Sequence, residues 1–126
     1  AFAKWNLARS GLAPLVDLDI GSGESLAFAE HAVDAVFAVN VFHHLHNPLK
    51  VTDEMLRVLA PEGKLIISDF SEEGFEIAQR IHAAEGGDHL RHGIPFLDVK
   101  KHLIEKGLGV EHERTRCQET LIAYAP

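Results

Sequence analysis

The sequence predicts a three-layer α/β domain with a mainly parallel sheet that ends in an antiparallel hairpin. Two observations carry this. Apolar strand-like runs alternate with segments of helical periodicity, the pattern of a sheet covered by helices. The last two strand-like runs are also too close together for a crossover, so they must pair antiparallel. The chain has 126 residues, 46% hydrophobic and 25% charged, enough for one domain with a buried core.

In order, Ala1 to Leu12 reads as a helix, with Phe2, Trp5 and Ala8 or Arg9 at helical spacing and Gly11 to close it. Leu15 to Ile20 alternates apolar and acidic residues and reads as a strand, ended by Gly21-Ser22-Gly23. Asp34 to Asn40 is a nearly continuous apolar run, as expected of a strand buried on both faces. Asn47 followed by Pro48 signals a helix start, with the Asn as cap, and that helix runs to about Leu59 before Pro61. Leu49, Thr52, Leu56 and Leu59 mark its inward face.

Lys64 to Asp69 is the next strand. Ser71-Glu72-Glu73 opens a helix with carboxylates at its positive end. Phe75, Ala78 and Ile81 are its inward residues, and Gly86-Gly87 end it. Pro95 to Lys106 is a helix with Phe96, Val99 and Leu103 inward and Gly107 as cap. Strands at about Gly109 to Arg116 and Thr120 to Ala125, with a turn near Gln118-Glu119, complete the chain. Repeats, linkers and low-complexity segments are absent from this pattern, so residues 1–126 read as a single domain.

Composition excludes several functions. A formal net charge of −7 leaves no basic stripe for a nucleic-acid backbone. The nine histidines make the charge sensitive to mild acid. Cys117 is the only cysteine, so an internal disulfide and a cysteine-based zinc site are excluded, which suits a reducing cytoplasm. No apolar run approaches a membrane span, and no signal peptide is visible. The chain starts at Ala1 and its one methionine is Met55, so the start of the gene product is expected upstream of Ala1 or processed.

Three local motifs are more specific than the topology. Glu24-Ser25-Leu26-Ala27-Phe28-Ala29-Glu30 through Asp34-Ala35-Val36 resembles the "E-x-L-P-F-x-D-x-x-F-D-x-V" stretch of the class I S-adenosylmethionine-dependent methyltransferases. Ala27 stands where Pro is usual, and Val33 where Phe is usual. Phe42-His43-His44-Leu45 is similar to the family's "L-H-H-L". Glu54 to Gly63 resembles "E-x-x-R-V-L-K-P-G-G", with Glu62 replacing a glycine. In order and at the family's spacing, they point to its type 11-like members. The resemblance implies a truncated Rossmann-like fold, an S-adenosylmethionine cofactor and a small-molecule methyl acceptor.

The resemblance leaves Gly21-Ser22-Gly23-Glu24 open to two alignments. It looks like the family's glycine-rich first motif, though Glu24 or Ser25 stands at the third glycine and only about ten residues separate it from Asp34. In the other alignment, Ala3 to Gly23 matches the family's third-strand region without a gap. The adenine-contacting Asp then falls at Ser22, and the first strand with its glycine loop is absent from the chain. Either way the resemblance implies cofactor contacts from Gly21, Ser22, Gly23, Glu24, Asn40, Val41 and His44. His44 is also the best guess for a catalytic base, since a neutral imidazole accepts a proton near pH 7.

Several features have plainer readings. His43, His44 and His46 are the usual writing of the family's loop rather than a metal site. His82, His89 and His92, with Glu85 and Asp88, read as a solvated loop. Asp69 either binds substrate or caps the next helix. Alternatives to the enzyme are a non-catalytic remnant acting as an interaction module and a nicotinamide-binding protein, the latter opposed by the missing G-x-G-x-x-G. Cofactor binding that is weak or absent is expected. So is an open edge on the strand at Asp34 to Asn40, closed either by Leu15 to Ile20 sliding into place or by a second copy of the chain, giving a homo-oligomer.

Overall fold

The computed structural model describes residues 2–87 and 94–125. Helix α1 (Phe2–Arg9) is followed by a 3-10 turn at Ala13–Leu15, strand β1 (Val33–Val39) and a second 3-10 turn at Phe42–His44. Then come helix α2 (Pro48–Val58), strand β2 (Leu59–Phe70), helix α3 (Glu72–Ala84), helix α4 (Phe96–Glu105), and strands β3 (Gly109–Arg114) and β4 (Gln118–Tyr124). The sheet order is β1-β2-β4-β3. β1 and β2 run parallel, Val39 facing Ser68, and β4 lies antiparallel between β2 and β3.

This corrects the expected mainly parallel sheet. Among the described residues one pairing is parallel and two are antiparallel, because Leu15 to Ile20 forms no strand. That segment is exposed throughout, and Asp19 explains part of the failure: its carboxylate accepts the backbone N–H of Ile20 at 2.8 Å. A side chain that captures a neighbouring amide offers the backbone an alternative to a ladder. The terminal hairpin forms as read, its turn shifted to Thr115–Cys117.

The core lies on one face of the sheet. Leu65 and Ile67 of β2, Leu121 and Ala123 of β4 and Ala38 of β1 meet Val51 and Met55 of α2 and Val99 and Leu103 of α4. Two layers of the expected three are therefore present among the described residues. On the opposite face of β1, Phe37 and Val39 are 69% and 57% exposed. α1 has no buried residue, its Phe2 and Trp5 stacking on each other in the open.

The inward faces differ in detail from the sequence reading. In α2 the buried positions are Pro48, Val51, Thr52, Met55 and Val58, with Leu49 and Leu56 half-buried. In α3, Phe75 is buried but Ile81 is exposed, so only the first part of this helix is packed inward. α4 buries Val99 and Leu103 as expected.

Two glycines are required by close approach. A Cβ on Gly63 would lie 2.8 Å from the Asp34 carbonyl oxygen, where residues 60–63 loop out between two pairings of β2 with β1. A Cβ on Gly74 would collide with the Cys117 carbonyl oxygen, where the start of α3 presses on the β3–β4 turn. Ser71 secures that junction. Its hydroxyl caps the helix by accepting from Gly74 N–H and donates to the Arg116 carbonyl at 2.6 Å, while Arg116 pairs with Glu73. Cys117 is exposed beside it.

Candidate functional site

In an open α/β sheet, ligands bind where strands end at their carboxyl termini. Here those ends are Asn40, after β1, and Asp69–Phe70, closing β2. Asn40 adopts a left-handed backbone conformation, φ 53°, which Asn tolerates better than most residues. Its N–H donates to the Ser68 carbonyl at 2.8 Å, and its side-chain oxygen accepts from Gln118 Nε2 at 2.5 Å. The chain then leaves the sheet in the 3-10 turn, placing Val41 and His44 at the surface and Phe42 and His43 inside.

The turn is held by Asp69. One carboxylate oxygen accepts the backbone N–H of His43 at 2.8 Å, and the other accepts His43 Nδ1–H at 2.7 Å. Both side chains are only 5% exposed. Phe70 N–H also donates to Asp69. The His43 ring packs against His44, Phe70 and Phe75, with centroid distances of 4.0, 5.4 and 5.9 Å. A cavity of about 20 Å³, the room of roughly one water, lies among Phe42, His43, Asp69, Phe70, Phe75 and Phe96.

The sequence reading separated His43 from Asp69. Asp69 caps no helix, a task Ser71 performs; it fastens the turn after β1 to the end of β2. The missed signal was the pair of polar motifs ending two neighbouring parallel strands.

The loop at Gly21–Glu24 is attached to the start of α2. Glu24 accepts from Asn47 Nδ2 and from Lys50 Nζ, each at 2.9 Å, and these two bonds hold its carboxyl below the usual carboxylate range. Asn47 thus spends its side chain on Glu24 and makes no side-chain cap, a correction to the expected capping role, while the helix does begin at Pro48. The Ser22 hydroxyl accepts the Glu24 N–H at 3.2 Å, and Gly23 lies against Val51. Gly21 faces open space.

The next residues are gripped by the Glu54–Arg57 pair. Glu54 accepts the Leu26 N–H at 2.8 Å, and Arg57 donates to the Leu26 and Phe28 carbonyls and back to Glu54. The bidentate Arg57 pairing and the Leu26 bond bring Glu54 down to about 2. The two motif stretches noted in the sequence are therefore one structural clamp. On the far side of α2, Asp53 meets His102 at 2.7 Å and Lys106 at 3.0 Å, tying α2 to α4. Burial pushes Asp53 up, but these two partners outweigh it and its carboxyl lies below its ordinary value.

The structure thus groups Asn40, Val41 and His44 at one strand end and Gly21, Ser22, Gly23 and Glu24 at the start of α2. His82 and Glu85 lie 3.9 Å apart, while Asp88, His89 and His92 lie outside the described residues. Among the described residues no cluster of three metal-ligating side chains occurs, and no helix is long and apolar enough to cross a membrane.

Comparison with known proteins agrees with this architecture. The sequence model of a family described as "Methyltransferase domain" matches residues 1–67. A demethylmenaquinone methyltransferase from Renibacterium salmoninarum is 37% identical over 62 residues, 49% of this chain and 26% of that protein. A malonyl-[acyl-carrier protein] O-methyltransferase from Hahella chejuensis is 32% identical over 99 residues, 78% of this chain and 34% of that protein. The chain spans about a quarter to a third of the length of these curated relatives. The crystal structure of a SAM dependent methyltransferase from Aquifex aeolicus superposes with a TM-score of 0.67 at 22% identity, covering 97% of this chain and 61% of that one. With the family model spanning more than half of its residues, the chain belongs to the class I methyltransferases, whose cofactor is S-adenosylmethionine.

Proposed function

We propose that this chain supplies part of a site that transfers a methyl group from S-adenosylmethionine to a small molecule. The observation that carries this is the exposed trio Asn40, Val41 and His44 at the carboxyl end of β1, anchored by Ser68 and Gln118. These three would hold the amino-acid end of the cofactor, and Gly21, Ser22, Gly23 and Glu24 would border its adenosine end. When bound, the cofactor supplies an activated methyl carbon, to which the acceptor's lone pair bonds while the electrons of the broken bond stay on sulfur. The protein's share is to position the two molecules.

The fit is better at the first group than at the second. Ser22 has no carboxylate, and that of Glu24 is engaged by Lys50 and Asn47. Charge-assisted hydrogen bonds are worth about 1.5–3 kcal/mol each. Lacking two of them weakens affinity by roughly two to four powers of ten. Titration calorimetry of the 126-residue chain with S-adenosylhomocysteine should therefore give weak but measurable binding. A low micromolar dissociation constant would overturn that expectation and favour Gly21–Glu24 as the family's glycine motif. Absence of heat at saturating ligand would favour the non-catalytic interaction module.

We also propose that the chain self-associates, in the cytoplasm, and has no nucleic-acid or membrane partner. The support is the free edge of β1, which among the described residues pairs with β2 alone. Leu15 to Ile20 does not close it, and in the 126-residue chain a second copy would. Sedimentation at low micromolar concentration should show a species heavier than 13.9 kDa; a single species at that mass would overturn the idea.

A further inference from the structure

We infer that Gln118 is a positioning residue of the cofactor site: it turns the Asn40 side-chain amide so that the N–H hydrogens, and not the oxygen, meet the carboxylate at the amino-acid end of the cofactor. This inference rests on the methyltransferase reading above and adds to it a residue from the far end of the chain.

Asn40 follows β1 with a left-handed backbone, φ 53°, which most side chains disfavour and Asn bears better than others. Two bonds hold it there. Its N–H donates to the Ser68 carbonyl at 2.8 Å, and its side-chain oxygen accepts from Gln118 Nε2 at 2.5 Å. The second bond fixes the sense of the amide. An Asn side chain has an oxygen that accepts and a nitrogen that donates two hydrogens. With the oxygen engaged by Gln118, the nitrogen is the end left to a ligand. Donors suit a carboxylate, because hydrogen bonds to an ionised acceptor are the stronger kind.

Gln118 is itself fixed by the terminal hairpin. It faces Phe70 in the register of β2 with β4. Its N–H donates to the Thr115 hydroxyl at 3.1 Å, and its carbonyl accepts the Thr115 N–H at 2.8 Å. The turn between them is fastened to the start of α3. Ser71 N–H donates to the Cys117 carbonyl at 3.1 Å, the Ser71 hydroxyl donates to the Arg116 carbonyl, and Arg116 pairs with Glu73. A donor on a backbone so held gives up little further freedom in gripping Asn40. The hairpin turn thus shapes the end of a strand 78 positions away.

The test titrates the full chain by proton–nitrogen NMR with S-adenosylhomocysteine, and with methylthioadenosine, which has the adenosine and the sulfur but no amino-acid end. Gln118→Ala should weaken S-adenosylhomocysteine binding by about two- to tenfold, the range of one hydrogen bond, and leave methylthioadenosine binding unchanged. Gln118→Glu keeps the length of the side chain but accepts where Gln donates. It should draw in the Asn40 N–H hydrogens, turn the Asn40 oxygen toward the ligand carboxylate and weaken S-adenosylhomocysteine binding more than Gln118→Ala does. Without ligand, nitrogen relaxation should show the Asn40 side-chain amide ordered in the wild type and mobile in Gln118→Ala. If Gln118→Ala does not fold by circular dichroism, Gln118→Glu and the wild-type amide still decide. The inference is overturned if Gln118→Ala binds S-adenosylhomocysteine as the wild type does, or loses methylthioadenosine equally. It is also overturned if Gln118→Glu binds as well as the wild type, or if the wild-type Asn40 amide is mobile. A wild type that binds neither nucleoside overturns the cofactor reading and this inference with it. A wild type that binds while the variants match it overturns this inference alone.

Discussion

Residues 15–20 and 34–40 both look like strands in the sequence, and only the second becomes one. Leu15–Ile20 ends at a fully exposed Ile20, while β1 lies in register with β2 and buries Ala38 against the core. The two segments differ in their alternate residues. In the first these are Asp17 and Asp19, and Asp19 turns back onto its own backbone; in β1 from Ala35 onward they are apolar and have no side chain that could capture an amide. A strand is a relation between two backbones and a covered face, and a segment that finds neither stays irregular however well it alternates.

The sharpest way to test that contrast is to compare stability at the two ends of the scale. Leu65, at the centre of β2, is fully buried. Leu65→Ala should cost about 2–5 kcal/mol in urea unfolding, from lost transfer energy and the cavity left behind. A loss below 1 kcal/mol (roughly, by the same series) would mean that the one-faced core is not packed in solution.

The region between these extremes, Leu26 to Phe28, has no regular structure but is held by Glu54 and Arg57. The Glu54 carboxyl is depressed from 4.5 to about 2 in the folded protein. A depressed carboxyl contributes stability that is fully present above its unfolded value and is lost as pH falls through the folded one. The wild type should therefore lose this contribution between pH 4.5 and about 2. Glu54→Gln should be the less stable protein at neutral pH, with the two acid-unfolding curves, followed by circular dichroism, converging toward pH 2. Parallel curves would show that the clamp is not formed.

The smallest effect is expected at Ile20. Ile20→Ala should change stability by no more than about 0.5 kcal/mol, as at surface positions generally. A loss comparable to that of Leu65→Ala would show that residues 15–20 are covered in solution, and would bring back the strand that their alternation suggests.

Sequence reading located β1, α2, α3, α4 and the terminal hairpin to within a few residues. Their signals are local: Pro48 at a first helical position, Ser71-Glu72-Glu73 at a helix start, and glycines at helix ends. The family resemblance was equally legible, because Glu54, Arg57 and Gly63 stand close together in the chain. Of the candidate residues, Asn40, Val41 and His44 lie just after β1, where the sequence placed the end of a strand. What stayed hidden was every relation between distant residues. Asp69 reaches His43 across 26 positions and Gln118 reaches Asn40 across 78. Periodicity records which residues favour a helix or a strand, and so the sequence by itself determined the elements and the family. Only the tertiary structure decided that Leu15–Ile20 has no partner, that one sheet face carries the core, and that a buried carboxylate stands behind His43. Those outcomes depend on which backbones and side chains meet, and no local pattern encodes that.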